Sequence, residues 1–149
     1  MSWLRVFARG ESAPPLEHLH LELRRRWPDL ETSFQYDDEG WLECRLQIAA
    51  ARPPTILRRY TRAADDIRGE LQSWAAWIES QPPSEQRQPL MEHVMTAQQA
   101  FTLEVPGEPD ESELALAVAR YLARAAEGVC QVDGEGFYDA QGRLLLAEN

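Results

Sequence analysis

One order of elements runs twice along this chain. An alternating apolar run at 3–9 is followed by Gly10-Glu11, a helical stretch and a strand, and then Tyr36-Asp37-Asp38-Glu39-Gly40-Trp41-Leu42. A second run at 101–105 leads through Gly107-Glu108 and another helical stretch to Tyr138-Asp139-Ala140-Gln141-Gly142-Arg143-Leu144. Both seven-residue segments read Y-D-x-x-G-x-L. A turn of this kind is ordinary hairpin chemistry: Asp hydrogen-bonds to its own turn, and Gly takes backbone angles closed to other residues. Its recurrence within an ordered set of elements constrains the fold much more than the turn alone.

The periodicities fill in the rest. Leu4, Val6 and Ala8 alternate with Trp3, Arg5, Phe7 and Arg9, which predicts a strand buried on one face. Leu16, Leu19, Leu23 and Trp27 recur at helical spacing, with Arg24, Arg25 and Arg26 placed to suit a helix C-terminus. Residues 30–36 and 41–48 read as a hairpin in which Leu42, Cys44, Leu46 and Ile48 face the core. Leu57, Tyr60, Ala64, Ile67, Leu71, Trp74 and Ile78 keep a 3-4 spacing, which predicts one long helix over 56–79. A shorter helix is expected over 84–96, and an acid-led helix over 111–126.

The expected fold is therefore α+β. Two βαββ units (1–50 and 98–149), a pseudo-duplication, are joined by a helical connector at 53–97 that carries the long amphipathic helix. Helices pack on an antiparallel-rich sheet. The alternative is a ferredoxin-like βαββαβ core with a C-terminal αββ extension. With 149 residues the chain fits a single domain with a real core.

Charge narrows the partners. The net charge is −10, and 12 acids against 4 arginines in residues 81–149 carry most of it. Phosphate backbones are disfavoured by such a surface, and basic proteins are favoured. All 15 basic residues are arginine, which suits a GC-rich bacterial source and leaves no lysine for Schiff-base or P-loop chemistry. Cys44 and Cys130 lie in apolar runs and read as buried free thiols, which fits a reducing cytoplasm. Arg5 and Arg9 interrupt the first apolar run, so no secretory leader is expected, and no run is long enough for a membrane span.

Chemistry is sparse. His18 and His20 point to different sides of a helix and do not share a metal, and His93 reads as a surface histidine. Asp133-Gly134-Glu135-Gly136 offers two carboxylates but lacks the ligand count of a calcium loop, so a turn or bulge is expected there. No catalytic residue, metal or cofactor is expected.

Two binding readings remain. Trp3, Arg5 and Phe7 on one strand, with Trp41 and Arg45 on another, would form an aromatic-arginine sheet face of the kind that carries binding hot spots, unless Trp74 and Trp77 cover it. The expectation is then a non-catalytic acidic protein that binds a basic protein partner, as an immunity-type or regulatory protein does. A homodimer is compatible with this reading. The alternative is a small-molecule binder or enzyme whose cleft lies between the units, framed by Glu11, Tyr36, Glu108 and Tyr138.

Overall fold

The computed structural model describes residues 1–148. In chain order it contains β1 (Ser2–Ala8), α1 (Glu17–Arg26), β2 (Glu31–Asp37), β3 (Gly40–Gln47), β4 (Thr55–Thr61), α2 (Arg68–Glu79), α3 (Arg87–Met95), β5 (Gln99–Val105), α4 (Pro109–Ala125), β6 (Gly128–Val132), β7 (Gly136–Tyr138) and β8 (Leu144–Ala147). The fold is α+β, with helices packed on an antiparallel sheet.

All eight strands belong to that one sheet, in the order β2-β3-β4-β5-β1-β6-β7-β8. Strands β1 and β5 pair at its middle, with Ser2 opposite Val105 and Ala8 opposite Gln99. One meander, β2-β3-β4, attaches to β5 through β4. The other, β6-β7-β8, attaches to β1 through β6. The edges of the sheet are thus β2 and β8.

The alternation read in the first strand sorts its side chains onto two different cores. Leu4, Val6 and Ala8 join Phe101, Leu103 and Val105 beneath α1 and α4, which bring Leu19, Leu23, Leu114, Val118 and Leu122. Phe7 faces the other way and packs with Ile67, Leu71 and Ile78 of the α2 region, Leu90 and Val94 of α3, and Phe137 of β7. Tyr60 of β4 also packs against this second core, and Arg58 stands on the same face of that strand. There Arg58 bridges Glu43 at 3.2 Å and Glu104 at 3.3 Å.

The long helix over 56–79 does not form. Thr55–Thr61 is strand β4, and the helix occupies only Arg68–Glu79. The 53–97 connector is therefore a strand followed by two helices. In β4 both faces meet protein: Leu57 enters the core under α1 and α4, whereas Tyr60 packs on the α2–α3 side. Apolar residues of both parities in one strand imitate helical spacing. The chain then turns, with the Thr61 amide donating to Asp65 Oδ2 at 2.9 Å.

A β-bulge corrects the expected alternation along β3, which places Leu42 in the core. Gln35 pairs with Glu43 while Tyr36 pairs with Trp41, so Leu42 is the extra residue. The alternation flips at that point. Trp41 turns inward and is 5% exposed, whereas Leu42 is 37% exposed.

His93 is also not a free surface group. Its Nε2 lies 3.0 Å from the Phe7 carbonyl, tying α3 to β1. Burial, aided by Arg9, pushes its pKa below the ordinary histidine range despite favourable carbonyl contacts. An unfolded histidine gains its proton near pH 6.5, so at that pH the unfolded chain binds the proton more readily than the native one. The contribution is intact above about pH 6.5 and is lost as pH falls below it. His93→Gln, which keeps a donor, is expected to flatten the drop in urea midpoint between pH 7 and pH 5 relative to wild type. Parallel curves would assign that slope to other groups.

Candidate functional site

The five residues expected to form one aromatic-arginine face are not together. Strand β1 is central and β3 lies three strands away, roughly 14 Å at ordinary strand spacing. Phe7 is covered, with its ring 6.1 Å from Trp74 and 6.3 Å from Phe137. Arg5 donates to Gln131 Oε1 at 2.7 Å and Asp133 Oδ1 at 2.8 Å, and its guanidinium lies 5.1 Å from the Trp74 ring centre. Trp3 is half-buried beside Asp133, whose carboxylate accepts from the Trp3 amide at 3.3 Å. Trp41 lies in the opposite core, stacked on Phe101 at 5.7 Å. Arg45 alone is exposed, 3.7 Å from Glu43.

The inter-unit cleft does not assemble either. Tyr36 stands on β2 and Tyr138 on β7, six strand steps apart, or roughly 29 Å. The Tyr138 hydroxyl donates to Glu135 at 2.8 Å, and Glu108 precedes α4. The Asp133–Gly136 segment is the β6–β7 turn, with its two carboxylates engaged by Arg5 and Tyr138. Both thiols are buried, and burial pushes each up to about 12, so neither supplies a thiolate near neutral pH.

The concavity that does form lies beside the β2 edge. A groove of about 720 Å³ runs between the 12–17 segment, the start of α1 and β2. Its apolar wall comes from Pro14, Pro15, Leu16, Leu21, Phe34 and Trp41. The physical origin is local. Helix α1 turns Leu19 and Leu23 onto the sheet, which leaves Leu21 63% exposed above the edge strand. Strand β2 has no outer neighbour, so Phe34 is only half-buried and Tyr36 is 66% exposed, their rings 5.8 Å apart.

The groove is held open by three polar ties. The Trp41 indole N–H donates to the Pro14 carbonyl at 2.8 Å, the Tyr121 hydroxyl donates to the Pro15 carbonyl, and His20 Nδ1 meets Thr32 Oγ1 at 3.2 Å. Its two carboxylate lining residues are Glu17 and Glu39. Asp37 and Asp38 continue that charge on the neighbouring turn. Of the residues expected from sequence to form a binding face or cleft, Tyr36 and Trp41 line this groove. Leu21 was missed, and its signal was an apolar residue off the stripe of the first helix.

Comparison with models of protein families, with curated proteins and with solved structures gave no match. Among the described residues no helix is long and apolar enough to cross a membrane.

Proposed function

We propose that the chain is a non-catalytic protein that docks an extended segment of a basic protein partner along β2, with apolar side chains entering the groove. The observation that carries this reading is the coincidence of an open edge strand with an acidic-rimmed apolar groove. An edge strand presents a row of free backbone donors and acceptors, and adjacent pockets select alternate side chains. Exposed Leu21 and Tyr36 support a contact surface at this patch. Glu17, Glu39, Asp37 and Asp38 favour arginine or lysine beside the apolar anchors. They disfavour a second copy of this chain, which would bring the same carboxylates face to face. An immunity-type or a regulatory protein would use such a surface equally well.

The volume also suits a small apolar ligand, since such sites span about 300–1,000 Å³. This is the second reading.

The test is selection from a displayed random-heptamer library, with calorimetry of the recovered peptides. The expected sequences combine apolar residues at alternate positions with Arg or Lys. Their binding should weaken as NaCl rises well above about 0.1 M, where charges are screened beyond ~10 Å. Leu21→Glu or Tyr36→Asp, both at exposed positions, should cost at least about tenfold in Kd. Peptides indifferent to both substitutions would remove the groove from the reading. Binding of a fluorescent apolar probe in this groove, with no peptide recovered, would favour the small ligand.

A further inference from the structure

Across the 11–13 segment from the groove lies a second cavity, of about 330 Å³. Its wall includes Arg59, a residue only 5% exposed. Arginine is almost never buried without a carboxylate. Here no Asp or Glu oxygen among the described residues lies within ion-pair distance of its guanidinium.

Two of the three guanidinium nitrogens are held by neutral acceptors. Nε donates to Gln99 Oε1 at 2.7 Å and Nη2 to the Glu11 carbonyl at 3.2 Å. Gln99 is fully buried and is itself fixed, donating to the Gly10 carbonyl at 2.7 Å and the Ser12 carbonyl at 2.9 Å. The guanidinium is thus clamped in one orientation. Nη1 has no protein acceptor among the described residues. Gly40 passes beside it, where an added Cβ would stand 3.9 Å from Nη1.

We propose that this cavity is a carboxylate-binding site, in which Arg59 Nη1 takes the carboxylate of a small acid or of a peptide C-terminus. A fixed guanidinium with unspent N–H groups is the donor such an anion requires. Glu11 and Glu39 on the cavity wall set the selectivity. They repel a dianion, tolerate a monoanion, and accept from an ammonium group carried beside the carboxylate. A zwitterion is therefore the best-matched ligand and inorganic phosphate the worst. Burial lowers the Arg59 pKa, and the carboxylates of Asp37, Glu39 and Asp65 oppose that shift from beyond ion-pair distance. This inference does not rest on the groove reading.

The experiment follows the Arg59 Nε–Hε resonance by NMR in full-length protein titrated with glycine, N-acetylglycine, glycinamide and phosphate. Glycine and N-acetylglycine should move it, with Kd on the order of millimolar for ligands of so few heavy atoms. Glycinamide, which lacks the carboxylate, should not. Glycine binding more tightly identifies a free zwitterion as the source, whereas N-acetylglycine binding more tightly identifies a chain terminus and removes Glu11 and Glu39 as ammonium acceptors. Arg59→Met should abolish the calorimetric signal. Should that variant fail to fold, the acid-against-amide comparison on wild type still decides. The proposal is overturned by an Arg59 resonance that no acid moves up to about 50 mM, or that glycinamide moves equally. It also falls if phosphate moves the resonance most. A shift caused by Glu11→Gln or Glu39→Gln with no response to the acids would mean that the chain's own carboxylate fills the place, and that too overturns it.

Discussion

Phe137→Ala is expected to lower the unfolding free energy by about 3–5 kcal/mol, the usual cost of deleting a buried phenyl ring. Phe137 is fully buried, and three aromatic rings close on it: Trp74 at 5.8 Å, Trp77 at 6.0 Å and Phe7 at 6.3 Å. Trp74 meets it edge-on at 80°, a favoured aromatic geometry. These contacts fasten α2 to the sheet. They also anchor β7, a strand of only three residues. Gly136, which precedes Phe137 in β7, has φ of +131°, and a side chain there would strike the Leu146 carbonyl. The backbone therefore has little room to collapse into the space the ring leaves, which puts the cost toward the upper end. Urea unfolding followed by tryptophan fluorescence measures the loss, and Phe137→Leu should recover much of it. A loss under about 1 kcal/mol would mean that α2 is held by something other than this cluster.

The same cluster shows where the sequence was legible. The sequence leaves the Phe7 face either open or covered by Trp74 and Trp77, and Trp74 covers it. Alternation in β1 was readable because its two faces carry different residue types, one purely aliphatic and one aromatic and basic. Helices α1 and α4 were readable because each has one wet face. Strand β4 was hidden for the opposite reason. Its burial alternates, but Thr55, Arg59 and Thr61 take buried positions beside Leu57 while Ile56 and Tyr60 lie on the other face, so its residue types do not show the period of two that marks a strand. The antiparallel sheet was legible as a class, but its order was not. Nothing local in β4 says that it pairs with β5, and that pairing puts Tyr36 at one edge and Tyr138 near the other.

The groove was illegible for a related reason. It needs β2 to be an edge, which is a property of strand order and not of the residues in β2. Arg59 was hidden by composition. One arginine among 15 gives no sign that it is the one buried without a carboxylate. Its partners Gln99 and the Glu11 carbonyl arrive from elements 40 and 48 residues away.

Trp41→Ala should cost about 3–5 kcal/mol, while Leu42→Ala should cost under about 1 kcal/mol. Simple alternation along β3 predicts the reverse order, because it places Leu42 with Cys44 and Leu46 in the core. The bulge decides between them. It turns the indole of Trp41 onto Phe101 with planes 28° apart, while Leu42 stands partly in solvent. The tryptophan change also leaves the Pro14 carbonyl without its donor, and an orphaned buried acceptor adds roughly 1–3 kcal/mol. Trp41→Phe separates the terms by keeping a ring against Phe101 while removing the hydrogen bond. Pro14 and Trp41 both line the β2-edge groove, so Trp41→Phe should also weaken peptide binding there under conditions where the protein remains folded. Leu42→Ala should leave that binding intact. Equal losses of stability at positions 41 and 42 would mean that β3 does not bulge, and the groove would then lose the residue that ties its wall to the core.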